Sequence, residues 1–220
     1  MDSDSTQIKV LIANLKKRKD RLKHIKKQFK ELNEFDIEIV EAIEHTVGPV
    51  GLWETFKLCV KHAKEAGEEV FIFCEDDHEF TENYNWEKLL ANIKYGYQND
   101  ADLLVGGSTG GMNVFIPIGE GLIWVNHYYS NQFLIVYEKF FDTVLTCIDF
   151  DMTHTLDNVL SEISVNKFVI FPYISVQKEF GYSDVTNYNQ LNPYKIVERF
   201  NQTEKKLSLA IEVYKRYHRQ

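Results

Sequence analysis

The sequence has no long apolar run and little cysteine, and each shortage excludes a class of protein. No stretch of the 220 residues is apolar over the length that crosses a bilayer, so a transmembrane helix is excluded. Cys59, Cys74 and Cys147 are odd in number, scattered and set among apolar residues. They predict reduced core thiols rather than a disulfide framework. Residues 1–7 are polar and acidic, unlike a secretory signal, so a cytoplasmic protein is expected.

Charge is unevenly distributed along the chain. The net charge is -8, from 25 Lys and Arg against 33 Asp and Glu. Residues 16–30 alone carry nine basic residues and one acid, a balance of +8, which leaves 16 basic and 32 acidic residues, or -16, elsewhere. A chain that is acidic outside one patch is a poor general nucleic-acid binder. It can still hold an anion at that patch.

Predicted strands alternate with predicted helices. Apolar runs indicate strands at residues 8–15, 37–43, 70–74, 102–105, 132–137 and 167–171. Helical periodicity indicates helices at residues 17–32, 53–66, 86–95, 138–147, 157–163 and 203–217. This order predicts an α/β single domain, with a mainly parallel mixed sheet flanked by helices in a Rossmann-like arrangement. We assign residues 1–192 to the domain and 193–220 to a C-terminal helical appendage packed on it.

An acidic run follows the most apolar predicted strand. Residues 70–74 suit a strand buried on both faces, and five ionisable residues, 75–79, follow without a spacer. The carboxyl end of such a strand is where open α/β sheets bind ligands. If the strand stays extended, Glu75 and Asp77 point one way and Asp76 the other, which makes a half-site for magnesium or manganese. A solvated acidic turn is an equally open interpretation.

Other polar positions fall beside predicted strand ends. Arg18 and Arg21 lie in the first turn after the first strand, where a phosphate site is plausible. Gly106 and Gly107 end another strand and would let the backbone approach a ligand, although a mobile loop fits equally well. Asp157 is placed as the N-cap of a short helix. The basic end of the last helix allows at most peripheral membrane contact.

Four segments together resemble glycosyltransferase family 25, the lipopolysaccharide-biosynthesis type. They are Asn14-Leu15 with Arg21, then Gly48 and Gly51, then Glu75-Asp76-Asp77, and finally Asp157 with Pro172 and Ser183-Asp184. The resemblance implies a GT-A fold, a UDP-sugar donor, a divalent metal and inversion at the anomeric carbon. The metal would be Mn²⁺ or Mg²⁺, and the glycan acceptor would be lipopolysaccharide or another surface polysaccharide. The sugar would be a galactose-like hexose.

The resemblance and the residue arguments together assign roles to individual positions. Asp77 and Glu75 are the predicted metal ligands, and Asp157 is the predicted base, with Glu162 and Asp151 as weaker candidates. The predicted donor-binding residues are Asn14, Arg18, Arg21, Glu75, Asp76, Gly106 and Gly107.

Two departures from the family leave other functions open. Members usually carry Cys and then Ser-His after the glycine loop, where this chain has Leu52 and Thr55-Phe56. Gln177 lies where many GT-A enzymes have a histidine metal ligand. A catalytically inactive nucleotide- or carbohydrate-binding relative is one alternative. A metal-dependent nucleotidyltransferase is the other, although residues 14–19 contain no glycine for a phosphate loop.

Overall fold

The computed structural model describes residues 7–119, 121–147, 154–181 and 195–217. Within these ranges the chain forms ten strands and six helices. The strands are β1 (Ile8–Asn14), β2 (Phe35–Glu41), β3 (Val70–Glu75), β4 (His78–Phe80), β5 (Leu103–Val105), β6 (Phe115–Pro117), β7 (Leu122–Val125), β8 (Phe133–Tyr137), β9 (Lys167–Ile170) and β10 (Ser175–Gln177). The helices are α1 (Lys19–Gln28), α2 (Gly48–Ala66), α3 (Trp86–Gln98), α4 (Glu138–Thr146), α5 (Leu156–Ile163) and α6 (Ile196–Tyr217).

Eight strands form one mixed sheet in the order β2-β1-β3-β8-β5-β9-β7-β6. β1 pairs in parallel with β2 and β3, and β5 pairs in parallel with β9. Only β8 and β7 run against the other strands of this sheet. The predicted class, an α/β domain with a mainly parallel mixed sheet flanked by helices, is confirmed.

The sheet is covered on both faces, as the unbroken apolar run of β3 predicted. Phe71 and Phe73 belong to one buried cluster, which also contains apolar side chains of α2, α4, α5 and α6. Ile72 and Cys74 belong to a second cluster, with apolar side chains of α1 and α3. Alternate residues of a strand face opposite sides of a sheet, so the same short segment anchors helices on both.

Helix α2 begins earlier than expected. The predicted helix began at residue 53, but residues 48–51 already form the first turn of α2, with Pro49 inside that turn. Proline is tolerated there because the first backbone N–H groups of a helix have no partner within the helix. The helix ends at Gly67, which has a left-handed φ of 74° and donates its N–H to the Ala63 and Lys64 carbonyls.

Strands β4 and β10 were not predicted. They form a separate two-stranded antiparallel ribbon that pairs His78 with Gln177 and Phe80 with Ser175. The acidic run is therefore split: Glu75 ends β3, Asp76 and Asp77 form a turn, and residues 78–80 form β4. His78 is fully buried in this ribbon, and its Nδ1 lies 2.7 Å from the Ser175 hydroxyl.

Helix α6 begins at Ile196, seven residues before the predicted start. Ile196, Phe200 and Leu207 are its buried residues and join the larger core cluster. Tyr217 is 82% exposed, because the last turns of the helix extend past the core. None of the helices in the described ranges is both long and apolar enough to cross a membrane.

Candidate active site at the ends of β1 and β3

A cavity of about 930 Å³ opens where β1 and β3 end. The chain leaves β1 towards β2 and leaves β3 in the other direction, so the loops after these neighbouring strands diverge. Such a topological switch point is where open α/β sheets bind ligands. The wall includes Ala13 and Leu15 after β1, residues 75–77 after β3, and parts of α2, α5 and α6.

A single arginine holds the acidic turn after β3. Arg21 Nη1 donates to Asp76 Oδ1 at 2.9 Å and to Asp77 Oδ2 at 3.1 Å. Asn14 Nδ2 donates to the other Asp76 oxygen at 2.7 Å. The predicted alternation of Asp76 and Asp77 to opposite sides does not occur, because the strand stops at Glu75 and both aspartates lie in the turn. The structure therefore brings together Asn14, Arg21 and residues 75–77.

Burial and mutual repulsion dominate the electrostatics of this turn. Burial raises the pKa of Asp77 to about 6, against the opposing effect of the Arg21 guanidinium. Burial, followed by the charges of Asp77 and Asp76, raises the pKa of Glu75 well above its usual value. Burial disfavours the charge of Arg21, but the two aspartates outweigh it and raise the pKa of Arg21. The single positive charge of Arg21 therefore does not neutralise all the carboxylates of this turn.

The turn offers a partial cation site. Asp77 Oδ1 is buried and makes no hydrogen bond within the described ranges, so it is an oxygen donor without a partner. Glu75 lines the same cavity, as does Gln177 at the end of β10. No group of three His, Cys, Asp or Glu among the described residues is arranged to hold a metal ion. A divalent cation fits here when a bound substrate completes its oxygen shell, as is common for magnesium and manganese.

Arg18 lies behind the cavity wall. Its Nε and Nη2 atoms donate to the two carboxylate oxygens of Asp20, each at 3.1 Å, and its side chain is buried. The Arg18 guanidinium also lies 6.0 Å from the Phe180 ring centroid, and Arg21 lies 5.1 Å from it. Phe180 lines the cavity, so Arg18 is placed to act on the site through this ring rather than from the wall itself.

Gly106 and Gly107 are not among the described residues that line the cavity. A Cβ atom on Gly107 would lie 2.1 Å from the Ser175 carbonyl oxygen, and one on Gly106 would lie 2.9 Å from Ser175 Cβ. Ser175 N–H also donates to the Gly106 carbonyl at 3.2 Å. The absence of side chains at these two positions lets the chain after β5 pack against β10, so their close approach is to neighbouring protein atoms.

Asp157 lies on the cavity wall at the start of α5. Thr155 is the N-cap of this helix, and Asp157 is its second residue, so the predicted N-cap role is wrong. Asp157 Oδ2 accepts from Ser130 N–H at 2.9 Å, and Oδ1 accepts from Asn158 N–H at 3.0 Å and from the Thr155 hydroxyl. The weaker candidate Glu162 is exposed on α5, and Asp151 and the predicted Ser183-Asp184 positions lie outside the described residues.

The positions that depart from the family pattern have structural roles. Thr55 Oγ1 donates to the Gly51 carbonyl at 2.6 Å and accepts from Ile43 N–H at 2.9 Å, which ties α2 to the preceding loop. Phe56 is buried and packs edge to face on Phe73 of β3. Leu52 and Thr55 line the cavity, so no ring nitrogen or serine hydroxyl is offered at those two positions.

Several cavity residues were not predicted from the sequence. They are Thr109, Tyr129, Ser130, Asn131, Lys178, Glu179, Phe180 and Arg199. Each comes from a loop or a helix start that is remote in sequence from the acidic run, and no local pattern marks them. The one unusual feature is conformational: Ser130 has φ of 88°, in the left-handed region that non-glycine residues seldom adopt.

Comparison with known proteins supports the fold. No protein-family model matches the sequence, and no curated protein matches it. A glycosyltransferase involved in the glycosylation of the major capsid of PBCV-1 superposes with a TM-score of 0.52 and 12% identity, over 90% of this chain and 99% of that one. The chain shares its fold with a glycosyltransferase.

The structure of A197 from STIV has the same TM-score, 0.52, with 11% identity over 79% of this chain and 86% of that one. At these identities the likeness concerns the fold alone. The residues of this chain must supply the argument for a particular reaction.

Proposed function

We propose that this protein is a metal-dependent, inverting glycosyltransferase that moves a galactose-like hexose from a UDP-sugar to a glycan acceptor. One observation carries the proposal: a single cavity at the switch point joins the acidic turn after β3 to Asp157 at the start of α5. Transfer of a sugar requires that a leaving diphosphate be stabilised and that an acceptor hydroxyl lose its proton. The acidic turn, with a bound cation, suits the first requirement, and the Asp157 carboxylate suits the second.

The charge of the cavity favours a donor that arrives with a cation. Among the described residues, the acidic side chains that line it are Glu44, Glu75, Asp76, Asp77, Asp157 and Glu179. The Lys and Arg side chains of the same part of the chain that line it are Lys17, Arg21, Lys178 and Arg199. Arg21 is already bonded to two of the carboxylates. A nucleoside diphosphate adds negative charge, so a divalent cation is the natural partner for its entry.

The turn residues would hold and orient the donor. Asp77, through its buried Oδ1, and Glu75 would hold Mn²⁺ or Mg²⁺, which supplies Lewis-acid stabilisation of the leaving diphosphate. Asn14 and Arg21 fix the two Asp76 oxygens, so the turn is preorganised before the donor binds. Phe180 presents a ring on the cavity wall beside Arg21 and Lys178. This ring and Arg21 lie where the nucleotide end of the donor would contact the protein.

Asp157 would act as the base. Its backbone and hydroxyl partners hold the carboxylate in one orientation. Oδ1 accepts two of these hydrogen bonds and Oδ2 accepts one, so Oδ2 keeps capacity to accept a proton or a further hydrogen bond. In an inverting reaction the acceptor hydroxyl attacks opposite the leaving group, and the base takes its proton during that attack. The resemblance to glycosyltransferase family 25 supports the same role.

A donor screen tests the proposal. The purified chain is incubated with UDP-hexoses and Mn²⁺, with and without oligosaccharide acceptors, and both released UDP and glycosylated product are measured. We expect UDP release that needs the metal, and product whose anomeric configuration is inverted. Pyrophosphate-dependent formation of UTP from a UDP-sugar would instead indicate a nucleotidyltransferase. No turnover and no UDP binding would indicate an inactive relative.

A further inference from the structure

We propose that Arg199, together with the hydroxyls of Thr109 and Ser130, forms an anion-binding subsite beside Asp157. This subsite would select an acceptor glycan that carries a negatively charged group, either a carboxylate or a phosphate. The assignment of the ligand as an acceptor rests on the proposed function, whereas the existence of an anion subsite does not.

The guanidinium of Arg199 reaches the cavity from α6. Arg199 lies in the first turn of that helix and lines the cavity together with Ile196. Its Nη2 donates to Thr109 Oγ1 at 3.2 Å. The helix is anchored at this point because Ile196 and Phe200 are buried in the larger core cluster. The charge is therefore presented from a fixed element, which favours a specific subsite over a mobile surface contact.

Hydroxyl contacts connect this guanidinium to Asp157. The Thr109 and Ser130 hydroxyl oxygens lie 2.9 Å apart, and Ser130 N–H donates to Asp157 Oδ2 at 2.9 Å. Arg199, Thr109, Ser130 and Asp157 thus form a continuous strip of the cavity wall. A ligand whose hydroxyl lies at Asp157 would bring its neighbouring substituents towards Arg199.

The backbone around Ser130 is held in an unfavourable conformation. Its φ of 88° is costly for a residue with a side chain, of the order of 1–3 kcal/mol. The preceding residue is fixed on both sides, since Tyr129 N–H donates to Gly110 O at 3.1 Å and Thr109 N–H donates to Tyr129 O at 3.2 Å. This conformation places the Ser130 N–H on Asp157 and its hydroxyl on Thr109 at the same time.

Charge explains why this strip would take an anion. Asp157 and the acidic turn repel negative groups, and the Arg21 guanidinium is committed to Asp76 and Asp77. Glu179 Oε1 accepts from Ile196 N–H at 3.0 Å and so occupies the positive end of α6. Lys17 and Lys178 also line the cavity, but the contacts of Arg199 run through Thr109 and Ser130 to Asp157, so Arg199 is placed to attract an anion there. Guanidinium binds carboxylates and phosphates in forked, charge-assisted geometry, and hydroxyls can donate beside it.

Arg199 and Arg21 approach the cavity from different faces of the sheet. Apolar side chains of α6 join the cluster on one face, and those of α1 join the cluster on the other. Arg21 is hydrogen-bonded to the acidic turn, where the donor is proposed to bind, whereas Arg199 is linked to Asp157. This separation favours the acceptor over the donor diphosphate as the ligand of Arg199.

Direct binding of small sugars tests the subsite without requiring turnover. Titration calorimetry or NMR shifts on the full chain would compare methyl β-glucuronide with the neutral methyl β-glucoside, and glucose 6-phosphate with glucose. We expect at least one acidic sugar to bind roughly tenfold or more tightly than its neutral partner, consistent with one charge-assisted contact. The two arms distinguish a carboxylate ligand from a phosphate ligand.

Variants on the same helix provide the control. Arg199→Gln should remove the preference for the acidic sugar, Arg199→Lys should retain part of it, and Arg216→Gln, which changes an exposed arginine on the same helix, should leave it intact. UDP affinity with Mn²⁺ should change less than about twofold in Arg199→Gln. Melting temperatures would show that each variant is folded.

Two results would overturn the inference. One is equal binding of acidic and neutral sugars by the unchanged protein. The other is a loss of UDP affinity in Arg199→Gln as large as its loss of acidic-sugar affinity, which would assign Arg199 to the donor. Acidic-sugar binding that depends on Arg199 in a protein that neither binds UDP nor turns over UDP-sugars would support the subsite and refute the proposed function.

Discussion

Arg21 neutralises part of the negative charge of the acidic turn. One of its nitrogen atoms bonds to both Asp76 and Asp77, and its side chain is only 12% exposed. Removing one partner of a buried ion pair leaves the other charge uncompensated, at a cost of roughly 3–5 kcal/mol. Arg21 therefore contributes to stability as well as to the orientation of the carboxylates.

We predict that Arg21→Gln will lower both stability and metal-dependent UDP affinity. The free energy of unfolding should fall by about 3 kcal/mol. UDP affinity with Mn²⁺ should fall about 10–100-fold, the usual effect of losing a group that orients a metal-binding carboxylate. Urea unfolding and titration calorimetry measure the two quantities. Lys26→Gln, on the exposed side of the same helix, is the control, and equal small effects from both changes would refute a site role for Arg21.

Asp157 has a structural role and a proposed catalytic role, and a matched pair of variants can separate them. Asp157→Asn removes the proposed base and one hydrogen-bond acceptor, so transfer should slow by about two to four orders of magnitude. The free energy of unfolding should fall by about 1–3 kcal/mol, because a donor next to Asp157 loses its acceptor. Thr155→Val removes the hydroxyl that bonds to Asp157 but keeps the carboxylate, so it should lose stability with far less loss of rate. An Asp157→Asn variant that retained most of its transfer rate would show that another group is the base.

Some of these residues could be found from the sequence and others could not. Asp76 and Asp77 follow a buried apolar strand directly, and Arg21 lies in the helix after the adjacent strand, so local order places them at one edge of the sheet. Ser130 and Arg199 are brought to the same wall only by tertiary packing. Asp157 was a candidate from the sequence and lies on the cavity wall, but its predicted N-cap role was wrong because the helix starts one residue earlier and Thr155 precedes it.

At the level of elements, long apolar strands were predictable and short ribbons were not. β1 and β3 carry five or more buried residues each, and such runs have a clear signature. β4 and β10 have three residues each, and their partners are about a hundred residues apart in the chain. β10 also packs closely against Gly106 and Gly107, and no local pattern reports that contact.

The tight contact between β5 and β10 makes Gly107 sensitive to any side chain. Gly107→Ala places a Cβ against backbone at 2.1 Å, so the ribbon must shift, and we expect a loss of about 3 kcal/mol in the free energy of unfolding. Gly67→Ala is the matched control, because its surroundings are open and only its left-handed φ is unfavourable, at about 1 kcal/mol. Denaturant unfolding compares the two. A Gly107→Ala variant no less stable than Gly67→Ala would contradict the proposed close packing.

At the scale of the whole molecule, one cavity collects residues from both faces of the sheet. α1 supplies Arg21 from one face, and α5 and α6 supply Asp157 and Arg199 from the other. The switch point exists because the chain crosses from β1 to β2 on one side of β1 and then returns to β3 on the other side. The fold class was predictable from alternating elements, whereas the way the last helix joins this wall depends on contacts far apart in sequence.

The central claim is that the acidic turn binds a nucleotide diphosphate together with a divalent cation. Titration calorimetry of UDP into the full chain, with and without Mn²⁺, tests it most directly, with Asp77→Ala as the variant that removes the buried oxygen donor. The account predicts that Mn²⁺ tightens UDP binding by at least about tenfold, and that Asp77→Ala abolishes this coupling while the protein stays folded. Equal UDP affinity with and without the metal, or full coupling in Asp77→Ala, would contradict it.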